Sequence, residues 1–135
     1  MIKSRTTPEN IKTLSNNQIF VFGSNLSGRH GKGAAKTALN FGAKWGQPKG
    51  IQGRTYAIPT KDASIKKTLT IDEIMRFTNE FIQFAKDNQN LTFLVTEIGC
   101  GLAGLNPKDV APLFKEAVNV INIHLPSKFW ENLNI

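Results

Sequence analysis

With 135 residues, the chain is long enough for one compact domain with its own core and too short for two, so residues 1–135 are expected to form a single unit. No run approaches the roughly eighteen apolar residues of a membrane span, and one cysteine with two distant histidines leaves no internal disulfide and no structural zinc site, which points to a reducing, cytoplasmic setting. Seventeen Lys and Arg against ten Asp and Glu, a formal charge of +7, favour an anionic partner, but the charges are scattered and no basic–aromatic alternation indicates nucleic acid.

The N-terminus MIKSRTTPEN lacks the apolar core of a signal peptide. Thr7-Pro8-Glu9-Asn10 reads as a short helix start with Thr7 as N-cap, and Ser15-Asn16-Asn17 as a turn. Ile19-Phe20-Val21-Phe22 has the length and the aromatic, β-branched content of a buried strand. A loop with Gly23, Gly28, Gly31 and Gly33 follows, and Ala34 to Leu39 reads as a helix entered through glycine. Strand, glycine loop and helix start make an anion site, because glycine lets main chain approach a ligand and the first helical N–H groups lack internal partners. The spacing matches neither the dinucleotide fingerprint nor the P-loop, so neither is claimed.

Residues 43–53 carry three glycines and Pro48 and read as a loop, within which Trp45 is expected to pack against the fold rather than to stack on a base, the alternative for an indole there. Arg54 to Pro59 alternates like a short strand and runs into the polar turn Thr60-Lys61-Asp62. Thr70 and Glu73 form a capping box, and Ile71, Ile74, Met75, Thr78, Phe81, Ile82 and Ala85 recur at helical spacing as one core-facing stripe. Leu91 to Ile98 is the next buried strand; it delivers a second glycine loop, Gly99 to Leu105. Asn106 then caps a helix with Pro107 in its first turn, buried through Val110, Ala111, Leu113, Phe114, Ala117 and Val118. Val120 to Leu125 reads as a strand and Phe129, Trp130 and Leu133 as part of a closing helix.

Strands alternating with helices imply an α/β fold: a three-layer αβα arrangement with a mostly parallel, mixed sheet flanked by helices. Ligands of such sheets sit beyond the carboxyl ends of the strands, where both glycine loops and the Lys61 turn are expected to meet.

Ser24-Asn25 after the first strand, Gly31-Lys32-Gly33-Ala34-Ala35, Ile58-Pro59-Thr60-Lys61 and Ile98-Gly99-Cys100-Gly101-Leu102 occur in that order over roughly residues 19 to 125. In order and spacing these motifs resemble the macrodomain family, above all the branch that removes ADP-ribose from glutamate. The resemblance implies a small-molecule nucleotide partner, ADP-ribose or a derivative, with no cofactor and no metal. Gly31, Gly33, Ala34, Gly99, Cys100, Gly101 and Leu102 would wrap the two phosphates and distal ribose through main-chain N–H groups. Asn25 would reach that ribose, and Gly23, Ser24, Gly28, Lys32, Lys61 and Ala103 complete the expected binding set. That branch pairs a lysine after the middle strand, Lys61 here, with an aspartate directly after I-G-C-G-L, where this chain has Ala103. It also carries an adenine-holding aspartate with no counterpart in residues 1–18.

Hydrolysis of an ADP-ribosyl derivative therefore needs another acid/base group beside Lys61. Glu97 before the second loop, His30 inside the first and Asp62 beside Lys61 are the candidates; Arg29 and Lys32 could cover the phosphates. His124 falls in a strand and reads as structural, and Cys100 as a small residue between glycines, not a nucleophile. Two other readings use the same residues: a basic nucleic-acid-binding module, and a protein-interaction domain presenting Phe129-Trp130.

Overall fold

The apolar run at Ile19–Phe22 is the middle of the protein. In a computed structural model that describes residues 2–133, it forms β1 (Gln18–Asn25), the central strand of a five-stranded sheet. β3 (Thr55–Lys61) and β4 (Thr92–Val95) pair with β1 in parallel on either side. β5 (Ile123–His124) extends the sheet in parallel beyond β4, and β2 (Gly50–Gln52) runs antiparallel beyond β3. The order is β2-β3-β1-β4-β5, a mixed and mostly parallel sheet.

Alternation along β1 divides the core. Ile19 and Val21 face a large cluster with Ile58, Phe93, Val95 and Ile123, covered by α2 (Ile71–Lys86), α3 (Pro107–Val110), a 3-10 segment (Ala111–Asn119) and α4 (Ser127–Asn132). Phe20 and Phe22 face a small cluster with Ala35, Ala38 and Ala57, covered by α1 (Gly33–Leu39) and by Ile11 and Leu14 of the N-terminal segment. The result is the expected three-layer α/β architecture, with unequal outer layers.

The capping box opens α2 as expected: Thr70 Oγ1 accepts from the Glu73 N–H at 3.2 Å, and Glu73 Oε1 accepts from the Thr70 N–H at 2.9 Å. Ile74, Thr78, Phe81, Ile82 and Ala85 are buried along its stripe. Met75 is not; it stands beside the stripe and is exposed.

Several elements differ from expectation. Thr7–Asn10 is not helical: the Thr7 N–H donates to Leu125 O at 2.9 Å, and Thr6 bridges Leu125 in parallel, so the segment lies extended beside the end of β5. A 3-10 turn at Ile2–Arg5 precedes it. The loop at 43–53 contains β2, which pairs antiparallel with β3 and is also held by the Gln47 and Gln52 side chains. β4 ends at Val95, three residues short of Ile98, and β5 keeps two residues of the expected six. The helix after Asn106 breaks into α3 and the 3-10 segment because Pro112 supplies no N–H and its ring meets the preceding turn. Phe114 within it adopts φ −103°, ψ 15°. Phe129 and Trp130 are buried, which removes them as a docking face.

Arg5 ties this layer to the N-terminus. Its guanidinium donates to the carbonyls of Ala117, Val118, Val120 and Ile123, at 2.8 to 3.1 Å, and lies 5.2 Å over the Trp130 ring. They gather where the 3-10 segment ends and the chain turns into β5; Ala117 O and Val120 O also accept the Val120 and Ile123 N–H groups, each at 3.0 Å.

Candidate functional site

β1, β3 and β4 end on the same rim, and the loops that leave them enclose a cavity of about 640 Å³. The first loop contributes Asn25, Arg29, Gly31, Lys32 and Gly33; the β3 end contributes Thr60 and Lys61; the second loop contributes Gly99, Gly101, Leu102 and Ala103. The two glycine loops therefore share one hollow. A Cβ added at Gly33 would lie 3.8 Å from Leu102 Cδ1, whereas one at Gly31 or Gly101 would meet nothing within 4 Å.

The first loop is built around Asn25. Its Oδ1 accepts from Ser27 Oγ at 2.7 Å and from the Arg29 N–H at 3.0 Å, and its Nδ2 donates to Arg29 O at 2.8 Å. Asn25 lines the cavity, but its amide is spent on shaping the loop rather than held out for a ribose. Ser24 likewise donates its hydroxyl to Pro48 O. Gly28 lies outside the lining and serves the loop's position: at φ +70° it packs so closely on residues 46–47 that a Cβ would lie 2.5 Å from the Gly46 carbonyl carbon.

The second loop turns at Gly99, φ +75°, and closes through Leu105 N–H to Gly99 O at 2.7 Å. Thr68 Oγ1 donates to Ala103 O at 2.6 Å and fixes it to the hairpin of residues 61–68. Cys100 is not among the lining residues; its thiol donates to Ile98 O, and burial, then Glu97, push its pKa up to about 11. A thiol so protonated is no nucleophile near neutral pH, in keeping with its reading as a small spacer.

Arg29, Lys32 and Lys61 line the cavity with one carboxylate, Glu97. Arg29 bridges loops, donating to Ser27 Oγ and Ala63 O at 3.1 Å each. Asp62 is a turn residue, not a partner of Lys61: it accepts from Ser64 Oγ at 2.6 Å, and that bond foremost holds its carboxyl below the usual range. β4 stops before Glu97, so strand alternation does not turn this side chain from the cavity.

His30 lies elsewhere than expected. It is fully buried behind the loop, edge-on to Phe22 at 5.2 Å between ring centroids, and its Nε2 lies 3.2 Å from Gln52 Oε1. That oxygen also accepts the Lys44 N–H at 2.7 Å, while the Gln52 amide nitrogen donates to Gln47 O at 3.2 Å. The amide orientation makes Nε2 the protonated nitrogen of His30. It does not line the cavity, and a role there as ligand contact or acid is not supported by its position. His124 is half-buried on β5, its pKa lowered by burial and then by Arg5.

Six lining residues lie outside the expected set: Ala35, Thr60 and Ile98 stand within the motifs quoted above, whereas Trp45, Ile65 and Thr96 do not. Trp45, expected in the fold, is 62% exposed. Ile65 adopts φ +68° at the tip of the 61–68 hairpin, a conformation no sequence rule assigns to isoleucine. Thr96 donates its hydroxyl to Val21 O at 2.8 Å as β4 ends.

Fold and rim cavity together define a three-layer α/β protein with two main-chain loops facing one hollow. No protein-family model and no curated protein sequence matches the chain. Among solved structures, a protein of unknown function from Bacteroides thetaiotaomicron is similar in fold, with a TM-score of 0.62 at 16% identity over 85% of this chain and 88% of its own. At that identity the likeness concerns the fold alone.

Proposed function

We propose that the rim cavity binds ADP-ribose or a related nucleotide diphosphate, as the macrodomain-like motifs imply. The observation that carries this reading is the convergence of the two glycine loops on one hollow, with open space before Gly31 and Gly101. Unpaired main-chain N–H groups in such loops suit phosphate oxygens, and Arg29, Lys32 and Lys61 outweigh Glu97 in charge. A volume of about 640 Å³ falls within the range of small-molecule sites.

Calorimetric titration with ADP-ribose tests the reading, set against Gly101→Glu. Gly101 is not in the left-handed region and a Cβ there meets nothing, so the variant folds while a carboxylate enters the cradle. Binding by the wild type and its loss in Gly101→Glu is the expected result; a flat wild-type titration refutes the proposal. A steep fall of affinity with salt and no preference for mononucleotides would instead favour the nucleic-acid reading.

Hydrolysis of an ADP-ribosyl derivative is a second reading, favoured by one observation. Lys61 and Glu97 share the cavity wall, and among the described residues neither charged group has a hydrogen bond or ion pair. An acid/base carboxylate is thus at hand although Ala103 replaces the family's aspartate. Release of ADP-ribose from a modified peptide by wild type, lost in both Lys61→Ala and Glu97→Gln with binding retained, is the outcome this reading requires.

A further inference from the structure

We propose that Trp45 is a preorganised platform on which the base of the bound nucleotide stacks, so that the site selects nucleobase-bearing diphosphates over sugar phosphates and inorganic diphosphate. This rests on the nucleotide reading above and goes beyond it by assigning the end of the cavity that recognises the base.

Exposure alone would not single out Trp45; its anchoring does. The indole is 62% exposed and lines the cavity, yet the chain on both sides of it is pinned by buried polar groups. On one side the Lys44 N–H donates to Gln52 Oε1 at 2.7 Å. On the other, the Gly46 N–H donates to Gly28 O at 2.9 Å, and Gln47 O accepts from Gln52 Nε2 at 3.2 Å. Gln52 is 2% exposed, and His30, which shares its Oε1, is fully buried. The His30 ring meets the indole edge-on, 6.4 Å between centroids at 75°. A surface tryptophan without a role needs no such support, and a core tryptophan would be covered. Trp130 illustrates the second case: it is buried and its indole N–H donates to Arg5 O at 2.9 Å.

The rest of the wall agrees. Leu102, 66% exposed, and Ile65 also line the cavity, so apolar side chains and bare glycine loops share one space. A flat apolar group joined to an anion fits that combination; a sugar phosphate uses only half of it. Rigid aromatic side chains bind planar groups at low entropic cost, and base–aromatic stacking commonly changes affinity by about tenfold or more.

The test uses the intact protein, Trp45→Phe and Trp45→Leu, titrated with ADP-ribose, ADP, ribose 5-phosphate and pyrophosphate by calorimetry, with tryptophan emission recorded in parallel. ADP should quench the wild-type emission, since Trp45 is the accessible indole and Trp130 is shielded. Trp45→Leu should lose about tenfold or more in affinity for ADP and ADP-ribose, keep its pyrophosphate affinity, and melt like wild type; Trp45→Phe should retain most of the affinity. Equal ADP-ribose affinity in wild type and Trp45→Leu overturns the stacking proposal and leaves the nucleotide reading standing. Wild-type protein that binds neither ADP nor ADP-ribose overturns both.

Discussion

Arg5→Ala should cost about 3 kcal/mol of stability, and the structure supplies the parts of that figure. Four carbonyls, those of Ala117, Val118, Val120 and Ile123, lose the guanidinium as donor, although Ala117 O and Val120 O keep a main-chain N–H. Arg5 is only half-buried, so water reaches part of the vacated space, and each carbonyl is worth about 0.5–1 kcal/mol rather than the full cost of a buried orphan. Loss of the guanidinium over Trp130, 5.2 Å from the ring centroid, adds about 0.5–1 kcal/mol. With an unfolding entropy of about 2.1 cal/mol/K for each of 135 residues, the melting temperature should fall by about 10 °C. Urea titration of wild type, Arg5→Ala and Arg5→Lys measures it; lysine keeps the charge but cannot span four carbonyls, so it should recover less than half. His124 provides an independent readout. Burial and the Arg5 charge hold its pKa down, and removing Arg5 should raise it in an NMR titration while burial keeps it below the ordinary value. A stability loss under about 1 kcal/mol, or an unmoved His124, would refute the account of Arg5 as the clasp of this layer.

Gly28→Ala adds a methyl 2.5 Å from the Gly46 carbonyl carbon at a left-handed φ, and should destabilise by about 3 kcal/mol and shift Trp45 emission; unchanged melting and emission would show that the two loops do not depend on each other. The Cys100 thiol should react slowly with iodoacetamide at pH 8 and faster toward pH 11. Because the unfolded chain releases this proton near pH 9 and the native protein only near 11, the thiol's contribution to stability is complete below pH 9 and is lost as pH rises from 9 to 11. Wild type should therefore lose more of its urea midpoint over that window than Cys100→Ser, and parallel curves would contradict the assigned shift.

What could be read from the chain was what local pattern decides. β1 has its run of aromatic and β-branched residues, α2 its capping box and stripe, and both glycine loops follow strands as the α/β pattern requires. Misread elements depend on partners far along the chain. Thr7-Pro8-Glu9 carries helix-start chemistry, but pairing with Leu125 claims the Thr7 N–H. β2 has no strand signal in Gly50-Ile51-Gln52 and exists because β3 offers an edge. The break after α3 is a different case: one continuous helix was expected, although Pro112 stands where that helix needs a donor.

At the site, the loops and Lys61 were recognisable, whereas the orientation of individual side chains was not. His30, in a polar glycine-rich loop, gives no hint that Phe22 and Gln52 enclose it. Trp45 presents the converse problem: an indole in a glycine loop is usually covered, and its outward stance follows from Gln52 gripping the backbone beneath it. Asn25 lines the cavity, but three hydrogen bonds within its own loop, which the sequence does not reveal, engage its amide.

The borders of the sheet have a consequence for self-association. One border is β2, three residues long and antiparallel to its neighbour; the other is β5, two residues long, with Thr6 bridging Leu125 just past its end. So little ladder stays open that a second copy gains few main-chain bonds by adding a strand. Crowded solutions of this protein are thereby guarded against end-on growth of the sheet, and any stable assembly has to be made by side-chain faces instead.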